Sequence, residues 1–143
     1  NFKIVVPYRL NYQIENIKIF GATMWSDITI DGYNSTNDSL YISMPFIRDK
    51  YEETRNKLSL EDSQIIITHH MPSKSFIDKK YINYDNSAYA SACEDIFNTK
   101  FKYWCFGHTH TKHKSEVNGI TFLCNPYGYP GENKEFNDCI FEI

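Results

Sequence analysis

Residues 64–68, Gln-Ile-Ile-Ile-Thr, constrain the fold of this chain more than any other segment. Three consecutive β-branched apolar residues leave no polar face, so the strand they form belongs in the middle of a sheet, buried on both sides. Short apolar segments recur around it. Residues 2–6 and 17–21 read as strands, with 9–16 as a polar connection between them. Residues 101–106, 116–124 and 139–143 read as strands too, and Asn118-Gly119 supplies a hairpin turn within the second of these. Residues 25–37 are polar with an Asp31-Gly32 turn signal, and 74–86 read as loop.

Helical periodicity is confined to two stretches. Residues 39–60 offer an apolar face of Phe46, Ile47, Tyr51, Leu58 and Leu60, with the charged run 48–55 forming a solvated face. Residues 87–98 carry a stripe of Ala88, Ala92 and Ile96, with Tyr89, Cys93 and Phe97 beside it. Asp85, Asn86 or Ser87 stands ready to cap its start. The expected class is a strand-rich α/β (α+β) chain with few helices.

The chain has 143 residues and shows no repeat, low-complexity tract or Pro/Gly-rich linker, so a single domain over 1–143 is expected. No apolar run approaches the roughly 20 residues of a spanning helix, and no membrane partner or signal peptide is expected. A net charge of −3, with no Lys/Arg run beyond two, gives no indication of a nucleic-acid partner. The four cysteines, Cys93, Cys105, Cys124 and Cys139, form no C-x-x-C pair and read as reduced thiols packed as small hydrophobes, as in a cytoplasmic protein. Abundant Ile, Asn, Lys, Tyr and Phe point to an AT-rich genome such as that of a low-GC bacterium, a protist or a large DNA virus.

Four of the five histidines fall in two groups, His69-His70 and His108-x-His110, each just after an expected strand. Loops at strand ends are where open α/β sheets place their sites. In extended chain His108 and His110 face one side and can share a centre, whereas His69 and His70 face opposite sides. Gly107, lacking a Cβ, suits a sharp turn out of the strand. Converging imidazoles suit Zn, Mn, Fe or Ni, while hydrogen-bonded histidines at a strand end are the plainer alternative.

The strings IIITHHMPS (65–73), WCFGHTH (104–110) and NPYGYPGE (125–132) together resemble the C-terminal half of calcineurin-like metallophosphoesterases. IFGATMWSD (19–27) resembles a strand and loop of a bacterial and phage branch of that family. The resemblance implies part of a four-layer α-β-β-α sandwich and hydrolysis of phosphoric esters by a hydroxide that two divalent ions (Mn, Fe, Ni or Zn) activate. It implies that His69 and His108 bind one ion and His110 the other. His70 then supports catalysis beside a ligand, while Asn125, Gly128 and Tyr129 belong to a loop near the site. His113 matches no part of the pattern and is expected to lie in solvent.

The family's upstream motifs D-x-H, G-D-x-x-D and G-N-H-[DE] do not occur between Asn1 and Ile143, and Tyr127 stands where relatives often carry arginine. On this reading the chain is the C-terminal part of a longer domain, and a preceding half or a partner chain completes the site around a phosphoester substrate. The alternative is a catalytically inactive, truncated relative serving as a binding or structural module. Either way, part of the sheet would present an uncovered apolar face.

Overall fold

The computed structural model describes residues 9–134 and 136. Six strands form one mixed sheet in the order β1-β2-β3-β4-β6-β5. They are β1 (Arg9–Ile14), β2 (Ile17–Ala22), β3 (Ile65–Thr68), β4 (Tyr103–Cys105), β5 (His113–Val117) and β6 (Ile120–Cys124). The four inner strands run parallel, and an antiparallel hairpin partner closes each edge. Two α-helices, α1 (Ile30–Asn34) and α2 (Met44–Leu60), lie in the connection from β2 to β3. The coarse class is therefore mixed α and β, as the sequence pattern implies.

Register explains the core. Phe20, Ile66, Trp104 and Phe122 align across the four parallel strands, and each is at most 1% exposed. Thr68 accepts a 3.0 Å hydrogen bond from Trp104 Nε1 and donates to the His70 carbonyl at 2.9 Å, so the one polar atom of this row is satisfied. Helix α2 buries Ile47, Tyr51, Thr54 and Leu58 as one helical stripe, Tyr51 and Leu58 in this core and Ile47 against Ile28 and Ala88. Ser43 caps its start, and Pro45 sits in its first turn.

The opposite face is less covered. Ile67 is 46% exposed, and Tyr12 and Ile14 on the edge strand β1 are also exposed. The expectation that β3 is buried on both sides therefore fails at Ile67, while the expected uncovered apolar surface is present there.

Several local expectations are corrected. Residues 9–16 form β1 and its turn rather than a polar connection. Alternation of Asn11, Tyr12, Gln13 and Ile14 is a strand pattern whose apolar members face outward. The Asp31-Gly32 signal lies inside α1, because Thr29 accepts from the Gly32 amide and starts a helix there. Phe46 and Leu60 are exposed, so the apolar face of α2 is narrower than its composition suggests. Its charged run is partly tied down: Arg48 donates twice to the Ile28 carbonyl, Glu53 pairs with Lys50 and Lys57, and Arg55 pairs with Asp95. Residues 74–86 do form a loop, with single 3-10 turns at Lys74–Phe76 and Lys79–Tyr81.

The largest correction concerns residues 87–98, which form no α-helix; Glu94–Ile96 is a single 3-10 turn. Met71 donates to the Tyr89 carbonyl, Ser91 donates back to Met71, and Cys93 donates to Pro72. Ser87 and Ser91 hydroxyls accept from the amides of Thr29 and Asp27. Serines that bond neighbouring backbone, with alanines small enough for close approach, favour this extended docking over an isolated helix. The expected strands 2–6 and 139–143, and Cys139, lie outside the described residues. Among the described cysteines Cys93 and Cys124 are buried, with thiols pushed up to about 11 by burial, and Cys105 is half-buried.

Candidate functional site

His69 follows β3 directly, and His108 lies three residues beyond β4, its parallel neighbour. Pairing continues past the strand ends, since the Gly107 amide donates to the His69 carbonyl at 3.0 Å. His69 Nε2 and His108 Nδ1 consequently lie 3.0 Å apart. The residue that makes the turn is His108 itself, at φ 60°, and not Gly107, whose φ is negative. A left-handed histidine is uncommon and is tolerated where the surroundings hold it.

Those surroundings are aromatic. The His108 ring lies 4.9 Å from Tyr89, stacked, and 4.5 Å from His70 on a tilted contact. The Ala88 carbonyl accepts from the His108 ring. Because Nδ1 faces His69, this bond belongs to Nε2, and it leaves the Nδ1 lone pair directed at the partner imidazole. Ala88 and Tyr89, read from sequence as a helical face, are thus the supports of His108. Only the solved path of the chain reveals that role.

His70 is 2% exposed and donates from Nδ1 to the Thr23 carbonyl at 3.1 Å. That carbonyl is presented by a backbone that turns through two left-handed residues, Met24 and Trp25, and the Trp25 ring packs 5.5 Å from His70. The segment 19–27 therefore serves the site by fixing His70, which sits behind His108 and has no open path to solvent.

His110 is separate from this pair. Its Nδ1 lies 2.8 Å from Glu132 Oε2, and its ring meets Tyr129 edge-on at 4.8 Å. Glu132 also accepts from the Tyr129 amide, and Asn133 donates to the carbonyls of His110 and Pro126. The Tyr129 amide and His110 hold the Glu132 carboxyl below its ordinary range. Sequence reasoning singled out Gly128 and Tyr129 but missed Glu132, which is the member that touches a histidine. No local pattern marks it, because only the loop that closes on His110 brings the two together. Asn125 is half-buried in the same loop.

Gly128 adopts φ +71°, and a Cβ there would come within 2.7 Å of Glu132 Oε2 and 2.9 Å of Asn133 Nδ2. Gly128→Ala is expected to push Glu132 off His110. The check is the nitrogen NMR spectrum of the His110 imidazole, which should show its fixed tautomer lost.

The expectation for His113 is corrected. Half-buried on β5, it packs against Phe76 and Phe106 and bonds Ser115 Oγ at 2.8 Å, so it is a structural residue.

Electrostatically the cluster favours neutral rings. Burial holds His70 down at about 3, and burial with the neighbouring His69 holds His108 down at about 4; burial also lowers His69. Each unfolded histidine takes up a proton near 6.5 while its folded counterpart does not, so stability falls as pH drops below 6.5. For His70 alone the loss between pH 7 and pH 5 is about 2 kcal/mol. Thermal melts of the chelator-treated protein are expected to show this fall, and His70→Asn is expected to flatten it.

Whether this donor set fits divalent ions can be judged from its geometry. Two nitrogens 3.0 Å apart, on rings held neutral, match two ligands of one ion at bond lengths of about 2.0–2.1 Å. His110, held through Nδ1, keeps Nε2 as a donor. Among the described residues, however, no group of three or more His, Cys, Asp or Glu is placed to hold an ion. His69 and His108 face each other as a pair, and His110 lies outside it.

A groove of about 1070 Å³ opens at His108 and His110 and continues between the segments 31–38 and 77–86. Among the described residues no helix is long and apolar enough to cross a membrane. No family model matches the sequence. The chain is similar to an uncharacterized protein, L509, of Acanthamoeba polyphaga mimivirus, at 27% identity over 155 residues. That match takes in 88% of this chain and 55% of the relative, so the chain spans about half the length of the curated protein it matches.

Proposed function

We propose that this chain carries part of the active site of a metal-dependent phosphoric ester hydrolase, a phosphatase or phosphodiesterase of the calcineurin-like type. The observation that carries this reading is the 3.0 Å approach of His69 Nε2 and His108 Nδ1 at the ends of adjacent parallel strands. In the finer fold this implies, the described sheet is one of the two inner layers of an α-β-β-α sandwich. A second sheet would then cover Tyr12, Ile14 and Ile67. Similarity to a relative about twice as long as the matched stretch, from a large DNA virus, is in keeping with a chain that forms the C-terminal part of such a domain.

Residue roles follow from the contacts. His69 and His108, hydrogen-bonded to each other through Nε2 and Nδ1, would turn these nitrogens to one ion in place of the proton they share; Tyr89, His70 and the Ala88 carbonyl fix the His108 ring. Glu132 orients His110 for a second position. Bound divalent ions (Mn, Fe, Ni or Zn) would polarise a phosphoryl oxygen and lower the pKa of water. The groove beside His108 and His110 receives the body of the ester, and the Asn125–Glu132 loop borders it.

The second reading is a catalytically inactive binding or structural module. It is favoured by His110 standing apart from the pair and by the lack of a three-ligand group among the described residues. Turnover of p-nitrophenyl phosphate and its diester with Mn, Ni or Zn separates the two. Metal-dependent hydrolysis that chelator abolishes is expected; purified protein inert with all three ions supports the inactive module.

A further inference from the structure

The groove that leaves the histidines has an uneven charge. Its walls carry Asp31, Asp38, Asp78 and Asp85, and its lysine is Lys80. Among the described residues none of these four carboxylates is ion-paired. Lys80 is already engaged: its Nζ stands 4.7 Å from the Tyr81 ring centre, and its charge acts on Glu132. Tyr84 and Tyr129 leave their rings exposed along the same groove. Asp38 is close enough that its charge acts on His69, so the acidic wall reaches the histidine pair itself.

We propose that this groove selects phosphoesters borne on a cationic body, as a phosphorylated polypeptide with lysine or arginine beside the phosphate would be. The inference rests on the hydrolase reading above and deepens it. Carboxylates outside any ion pair attract ammonium and guanidinium groups and repel polyanions such as nucleic acid. Exposed tyrosine rings accept a cation over their faces, as Tyr81 already accepts Lys80. The groove's volume, about 1070 Å³, suits an extended segment better than a small ester. The phosphate end is drawn to the histidines, and the cationic flanks to the far wall.

The test is fluorescence anisotropy with the natural full-length protein and four probes. These are a phosphoserine peptide flanked by Lys and Arg, the same phosphoserine flanked by Asp and Glu, the basic peptide without phosphate, and a 5′-phosphorylated oligonucleotide. The basic phosphopeptide is expected to bind about tenfold tighter than the acidic one at low salt. That ratio should shrink in 1 M salt, where charges are screened beyond about 3 Å. The double variant Asp31→Asn/Asp38→Asn, with its melting point checked, should cut the ratio about threefold.

Equal binding of the basic and acidic phosphopeptides overturns the inference, as does preference for the oligonucleotide or indifference to the phosphate. Turnover of p-nitrophenyl phosphate is measured alongside. If it proceeds while binding shows no preference, this inference falls alone. If no ion supports turnover, the hydrolase reading falls and takes the inference with it.

Discussion

Replacing His108 with alanine is expected to lower metal-dependent hydrolysis of p-nitrophenyl phosphate at least ~100-fold. Loss of groups that merely orient a ligand already costs about 10- to 100-fold, and His108 is proposed as a ligand itself. The ring is held by Tyr89, His70 and the Ala88 carbonyl, with Nδ1 facing His69. His69→Ala should do the same damage, and the double variant should be little worse, because two groups that act as a unit are not additive. His113→Ala, which changes packing on Phe76 and Phe106, should leave kcat/KM near the parent value. Steady-state kinetics on the four variants, with Mn and with chelator, decide the matter.

The second large effect is structural. Trp104 is fully buried at the centre of the row Phe20–Ile66–Trp104–Phe122, and its indole N–H bonds Thr68. Trp104→Ala is expected to cost about 3–5 kcal/mol, a large share of the roughly 5–15 kcal/mol that holds a domain together. The melting point should drop by roughly 10–15 °C. Trp104→Phe keeps most of the volume and loses the hydrogen bond, so a loss nearer 1 kcal/mol is expected. Because Thr68 also donates to the His70 carbonyl, the alanine variant should loosen the segment that carries His69. Calorimetry gives the stability, and metal affinity measured on the folded fraction gives the second effect.

What the sequence discloses and what it hides follow from how local each signal is. The strands 17–21 and 64–68 and the Asn118-Gly119 hairpin rest on β-branched runs and turn chemistry that need no distant partner, and each forms. Spacing alone pairs His108 with His110; only the family resemblance implies His69 beside His108, and the parallel pairing of β3 with β4 brings those two together. Residues 87–98 misled because alanine spacing at helical period is a weak prior. The hydrogen bonds that Met71, Pro72, Asp27 and Thr29 supply from elsewhere in the chain decide the path.

Glu132 lies 22 residues from His110, and only the loop that closes on it brings the two together. Similarly, Gly107 drew attention as the expected turn residue, yet the strain sits one position later, on His108. The rings of Tyr89 and His70 packed on His108, which no local pattern announces, hold that conformation in place.

His69 and His108 are proposed to share one divalent ion. Isothermal titration of Ni²⁺ or Co²⁺ into chelator-treated protein, with the visible spectrum of the cobalt form, tests it most directly. Binding with a histidine-nitrogen signature in the parent and in His113→Ala, lost in both His69→Ala and His108→Ala, is the predicted result. Binding that survives both of those replacements, or no binding by the parent protein, would contradict it.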